Sequence, residues 1–184
     1  MKKLLIAATI ACMAAVSQAY QIKWSALNIK TPVATDVKVD QTGITGTGAA
    51  MSGLAINLFW VNKAGEDVSL GTFTSTDGKV AAVTLGDGTD SDLYKAMVED
   101  QGDTWKPVYH MTATYTTDDG VYTFDGTVTA GATIGNLGSK AVTATANFSN
   151  IAGWDYKANA VPEPTSGLLL LLGVAGLALR RRRV

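Results

Sequence analysis

Two apolar runs, Leu4 to Val16 and Gly167 to Leu179, enclose a middle in which apolar and polar positions change over every few residues. Within that middle, short stretches rich in Val, Ile, Thr and aromatic residues are separated by Gly, Asn and Asp, the pattern of strands joined by tight turns. Gln21 to Leu27 reads as a first strand, although its alternation is imperfect. Leu54 to Val61 is the most apolar stretch and is expected to be a central strand. Asn62-Lys63-Ala64-Gly65-Glu66 has hairpin-turn chemistry, and Val68 to Thr74 is expected to return beside it. Asp77-Gly78 marks the next turn, before a strand from Val80 to Leu85. The clearest hairpin joins Tyr109–Thr116 to Val121–Thr129 through Thr117-Asp118-Asp119-Gly120. In its second arm Tyr122, Phe124 and Gly126 share one face, and Val121, Thr123 and Asp125 the other. Val142 to Phe148 reads as the closing strand.

One segment changes period. From Thr89 to Gly102 the spacing predicts a helix, capped by Asp90 or Ser91, with Asp92 favourable at its positive N-terminus. Leu93, Ala96 and Met97 make its apolar stripe, and Gly102 can stop it. The middle is therefore expected to be all-β, an antiparallel β-sandwich or barrel-like domain with one short helix.

The two ends have a different logic. Lys2 and Lys3 precede the first apolar run, and Ser17 and Ala19 place small residues after it. Charge, an apolar core of about 13 residues and small residues at −3 and −1 form a secretory signal, with cleavage between Ala19 and Tyr20. Lipidation of Cys12 fits less well, since Thr9 suits the −3 position poorly and cleavage there would halve the apolar run. At the other end, residues 165–179 span roughly 22 Å as a helix. That is short of the ~30 Å bilayer core. Arg180, Arg181, Arg182 and Arg183 follow directly. Such a cluster snorkels to headgroups and holds its end in the cytoplasm, leaving the middle outside the membrane. The expected domain plan is signal peptide 1–19, β-rich domain 20–158 and sorting tail 159–184, so that a signal helix and a transmembrane helix flank the domain.

The ends also distort the bulk figures. The whole chain has a formal charge of −1, but residues 20–158 contain no arginine, and their nine lysines against fifteen acidic residues leave −6. A domain of that character is a poor nucleic-acid binder, because phosphate neutralisation needs cations. Cys12 is the only cysteine and lies in the signal, which removes disulfides, thiolate metal sites and cysteine nucleophiles from the domain.

Val161-Pro162-Glu163-Pro164, an apolar segment and a terminal arginine cluster occur in that order at the end of the chain. This combination resembles the PEP-CTERM sorting signal of Gram-negative bacteria. The resemblance covers roughly the last 24 residues. It implies recognition and processing by an exosortase, a membrane protease or transpeptidase, in bacteria that make extracellular polysaccharide. Physically, Pro162 and Pro164 fix φ and hold their preceding residues extended. Glu163 is then presented on a stiff stalk in the form a peptidase cleft binds.

The domain offers weaker chemistry. His110 is the only histidine. A Ser-His-Asp site would need it, with Asp118, Asp119 or Asp125 as partner, but no nucleophile elbow accompanies it. Asp87, Asp90 and Asp92 have the oxygen-rich character of a Ca²⁺ loop without EF-hand spacing, and equally suit turns and caps. Acid pairs drawn from Glu66, Asp67, Glu99, Asp100 and Asp103 fall in turns or on a solvated helix face. Trp24, Trp60, Trp105 and Trp154 are candidates for a sugar-stacking platform or for the core. No catalytic residue, metal or cofactor is assigned. The expected function is that of an exported, non-enzymatic surface or extracellular-matrix protein. The alternative is a carbohydrate-binding module acting on extracellular polysaccharide. Two or more exposed, coplanar tryptophans would mark that alternative. The expected partners are signal peptidase and the Sec translocon, an exosortase and the membrane.

Overall fold

The computed structural model describes residues 21–88, 90–135, 141–151 and 153–159. The expected signal helix and transmembrane helix, with Ala19 and Tyr20, lie outside these residues, as do Val161 to Pro164 and the four arginines. Among the described residues no helix is long and apolar enough to cross a membrane.

Among the described residues eleven strands and one helix are formed: β1 (Gln21–Leu27), β2 (Lys30–Pro32), β3 (Gln41–Ile44), β4 (Gly46–Ala50), β5 (Ala55–Val61), β6 (Asp67–Thr74), β7 (Val80–Asp87), α1 (Asp92–Gln101), β8 (Val108–Thr116), β9 (Gly120–Thr129), β10 (Val142–Asn147) and β11 (Trp154–Ala158). Six strands form one sheet in the order β3-β11-β9-β8-β5-β6, three form another in the order β10-β1-β7, and β2 pairs with β4. The described residues are thus dominated by strands, with a single short helix and mainly antiparallel sheets. One pairing departs from the expected antiparallel plan: β1 and β10 run parallel, with Ile22 opposite Val142 and Ala26 opposite Ala146. The strand expected to close the domain instead extends the sheet begun by the first strand.

Both sheets contribute to one apolar core. Ile22, Trp24 and Ala26 of β1 and Val142, Ala144 and Ala146 of β10 are buried together with Ile56, Leu58, Met111, Phe124 and Trp154 from the larger sheet. Trp24 reaches Phe73 of β6 at 5.4 Å between ring centroids. Phe124 stacks on Phe148, just beyond β10, at 4.1 Å. These contacts join the inner faces of the two sheets, and burial of rings this large dominates the apolar free energy of such a core.

The hairpins follow the turn chemistry. The Asn62 N–H donates to the Glu66 carbonyl, and the Glu66 N–H to Asn62 Oδ1, closing the β5–β6 turn. Asp77 and Gly78 both have positive φ, 48° and 73°, the two left-handed residues of a type I′ turn. Strand β5 is flanked by β8 and β6 and lies second from the sheet edge rather than at its centre. In β9 the residues expected to share one face, Tyr122, Phe124 and Gly126, are buried, while Thr123 and Asp125 of the other face are exposed.

Helix α1 links the two sheets. Ser91 is its cap, accepting the Tyr94 N–H, and Gly102 ends it with φ 82°. Its inward residues are Met97, fully buried, with Leu93, Tyr94 and Val98 packed on the core. Ala96, expected in that stripe, is exposed instead. The helix docks on the end of the β5–β6 hairpin, where the Lys63 N–H donates to Asp100 at 2.6 Å and Gln101 donates to the Val61 carbonyl at 3.0 Å. That docking turns the buried side toward Tyr94 and Val98.

Candidate functional site

The domain releases its tail from the larger sheet. β11 is inserted between β9 and β3, with Tyr156 opposite Tyr122 on one side and Gln41 on the other. Trp154 and Tyr156 point into the core, and Asp155 and Lys157 point out. The Ala158 N–H donates to Asp40 at 2.8 Å. Asn159 donates through its N–H to the Asp119 carbonyl and through Nδ2 to the Asp118 carbonyl, at 2.9 and 2.8 Å. The chain is therefore held by side chains and backbone up to Asn159, three residues before Pro162. The Tyr156 hydroxyl adds a brace, donating to the Val37 and Asp119 carbonyls. Desolvation first, then the negative charge of Tyr122 when ionised and of Asp119, Asp40 and Asp36, holds that phenol above its ordinary range.

The most concentrated polar geometry on the domain surface surrounds His110. Its Nδ1 lies 2.7 Å from Asp67 Oδ2 and its Nε2 lies 3.0 Å from Asp125 Oδ1. Asp67 comes from β6, two strands away across β5, and Asp125 from the neighbouring β9. The Phe59 ring of β5 packs beside the imidazole at 5.7 Å. Ionised carboxylates only accept hydrogen bonds, so both contacts are satisfied together only when both ring nitrogens carry protons. Partial burial pulls the imidazole down, but the hydrogen bonds and charges of the two carboxylates outweigh it and hold His110 above its ordinary value. With each nitrogen facing a carboxylate, neither is left to activate a hydroxyl nucleophile. Asp125 is the expected partner found in place. Asp118 and Asp119 sit in the β8–β9 turn and serve Asn159 through their carbonyls. Asp67 had no sequence signal, because its strand is not adjacent to that of His110.

The remaining candidates disperse. Asp90 is fully exposed, its nearest cation being Lys95 at 4.0 Å, and Ser91 beside it is the helix cap. Among the described residues no group of three or more His, Cys, Asp or Glu is placed to hold a metal ion. Asp100 accepts from the Lys63 backbone, and a cleft of about 460 Å³ beside it is lined by Trp60, Asn62, Val68, Ala96 and Glu99. Trp24, Trp60 and Trp154 are buried, and Trp105 is half-buried against Trp60 at an interplanar angle of 60°. The four tryptophans thus form core contacts and no exposed coplanar pair.

Residues 160–183 match the PEP-CTERM protein-sorting motif. The match covers 24 of the 184 residues and is consistent with a protein that carries a PEP-CTERM sorting motif. The motif implies exosortase-mediated sorting, export and processing of a membrane-anchored precursor. No curated protein and no solved structure matches the chain.

Proposed function

We propose that this chain is a non-enzymatic surface or extracellular-matrix protein, exported by the Sec translocon, cut by signal peptidase between Ala19 and Tyr20, and then sorted by an exosortase that reads Val161, Pro162, Glu163 and Pro164. The apolar run from Gly167 to Leu179 anchors the precursor, and Arg180, Arg181, Arg182 and Arg183 hold its end in the cytoplasm. The β-rich domain then stands on the outer face of the membrane, and its destination is the cell surface or polysaccharide matrix of a Gram-negative-type bacterium. The observation that carries this reading is the sorting motif over residues 160–183. A structural rather than catalytic domain is supported by His110, whose two ring nitrogens are both engaged by carboxylates.

The test separates charge from backbone shape. Glu163→Gln keeps the shape and removes the charge. Replacing Pro162 and Pro164 with Ala keeps the charge and frees the backbone. Both variants are expected to be exported and to remain as unprocessed membrane forms, seen by fractionation and intact-mass analysis beside a strain lacking the exosortase. Maturation of both variants at the wild-type rate, with precursor accumulating only in that strain, would show that the enzyme reads something else. Normal maturation in that strain would overturn the sorting reading itself.

A further inference from the structure

Five large apolar side chains are exposed on the described surface, and three of them lie on one loop. Val33, Val37 and Val39, in the β2–β3 connection, are 56%, 40% and 53% exposed. The loop is braced rather than slack. Ala34 is buried and its N–H donates to the Tyr122 hydroxyl at 3.1 Å. Gln41 donates through Nε2 to the Asp36 carbonyl at 2.8 Å and accepts from the Thr35 N–H and hydroxyl. The Val39 N–H returns to the Asp36 carbonyl. The loop is held in one shape by these hydrogen bonds and presents three valines to water, which offers an apolar partner a defined surface.

The position of the loop identifies that partner. The Val37 carbonyl accepts from Tyr156, and Asp40 accepts from Ala158, so the loop sits against the last residues of β11. From Asn159 the chain has eight residues to travel before Gly167, the start of the apolar tail segment. Fully extended, they reach at most about 28 Å. The exit from the domain is therefore tethered to the bilayer surface. The opposite end of the large sheet is the β5–β6 turn. Antiparallel register places Thr116 at the exit end and Val108 beside Trp60 and Val61 at the other, about 27 Å away.

We propose that Val33, Val37 and Val39 are a membrane-contacting loop that seats the β-domain of the anchored precursor on the outer leaflet. The proposal rests on the reading of residues 167–179 as an anchor. Three valines bind a bilayer weakly by themselves, but a tether this short raises the local concentration of surface enough for weak contacts to set orientation. Charge does not oppose the arrangement strongly. Asp40 is turned to the Ala158 N–H and Asp36 to the Lys38 N–H, and Lys38 stands between the valines with a stem able to lie along apolar surface while its amine meets lipid phosphate. Seated in this way, the domain presents the segment just after Asn159 at the level of the membrane surface, where an integral membrane enzyme works.

The test uses the processed chain, residues 20–184, which has no cysteine of its own and keeps residues 167–179 as its one long apolar run. Single cysteines replace Val33, Val37, Val39 or, as the distant control, Ala64 in the β5–β6 turn. Each carries an environment-sensitive fluorophore and is reconstituted into vesicles of phosphatidylethanolamine and phosphatidylglycerol, with and without brominated acyl chains. Flotation reports anchoring independently of the loop. The expected result is that all variants float, that brominated lipid quenches the label at position 37 or 39 at least twofold more than at 64, and that emission there shifts to the blue. Three separate loop positions guard against one substitution disturbing the turn. Floating protein with equal quenching at all four sites overturns the proposal while leaving the anchor intact. Failure to float overturns the anchor reading and the proposal with it.

Discussion

The Tyr156 hydroxyl lies 2.8 Å from the Asp119 carbonyl oxygen, tying the last strand of the domain to the β8–β9 turn. The same ring covers Gly120. A Cβ at that position would meet the Lys157 carbonyl and come within 2.5 Å of the Tyr156 ring. Gly120 is needed here for space, since its φ is not in the left-handed region. The aromatic run continues from Tyr156 to Tyr122 at 4.6 Å and on to Tyr115 at 5.9 Å. Three tyrosine rings thus pack in series beside the tail exit.

Replacing Gly120 with Ala should destabilise the domain by about 2 kcal/mol, within the range for overpacking a closed site. Replacing Tyr156 with Phe should lower the melting temperature as well, because the carbonyls of Val37 and Asp119 lose a shared donor. Thermal melts followed by near-ultraviolet dichroism check both. A Gly120→Ala melt equal to wild type would mean that the Tyr156 ring and the Lys157 carbonyl both move aside at no cost.

The His110 bracket makes stability depend on pH in a defined direction. A histidine held above its unfolded value, about 6.5, contributes fully below that value, and its contribution is lost as pH rises through the folded one. The Asp67 and Asp125 side chains are 41% and 80% exposed, so screening keeps the contribution to about 1 kcal/mol or less. The melting temperature of wild type minus that of His110→Gln should therefore shrink between pH 6 and pH 9. Because His110 is the only histidine, its imidazole resonance in an untagged chain reports the titration directly. A midpoint at or below 6.5 would contradict the geometry.

The strands that were legible are those with large apolar residues at period two and Gly, Asn or Asp at their ends. The β8–β9 hairpin shows both, and its inward and outward faces follow the alternation of Tyr122 to Gly126. Residues 30–50 carried no such signal, because β2 to β4 are short and built largely from Thr, Gly and Ala. Gly48 has its own cause: a Cβ there would come within 2.9 Å of the Thr31 carbonyl, so closeness to β2 excludes the larger residues that advertise a strand. Trp154 and Tyr156 do alternate with Asp155 and Lys157, and that signal was available. Five residues beside the tail linker were too few to stand out. The parallel partnership of β1 with β10 joins residues 120 apart in sequence, and no local pattern encodes it. The same holds for the Asp67–His110 contact, which spans an intervening strand. In the tail, by contrast, the sorting motif is itself a pattern of local sequence, so its residues were legible without the fold.

The link between fold and tail gives the final prediction. Asn159 is fixed to the Asp118 and Asp119 carbonyls, and only Ala160 and Val161 separate it from Pro162. Those three steps extend to at most about 10 Å. A protease cleft commonly embraces several extended residues on each side of its target, so on the proposed reading of the motif the folded domain stands close to the minimum distance for engagement. Deleting Ala160 and Val161 would bring Pro162 to within one residue of the pinned Asn159 and set the β8–β9 turn against the enzyme. That variant should be exported and folded yet accumulate as precursor, with maturation slowed at least tenfold in pulse-chase and intact-mass analysis. Inserting six residues of Gly and Ser after Asn159 should leave maturation at or above the wild-type rate, because a flexible spacer relieves the crowding. Combining the deletion with Asn159→Ala tests the pin itself. Loss of the Nδ2 bond to the Asp118 carbonyl, with only the backbone bond to the Asp119 carbonyl left, loosens the end of β11 and should restore part of the rate. If the deletion matures like wild type, the enzyme approaches the motif from a side that the domain does not occupy, and the spacing after Asn159 has no part in sorting.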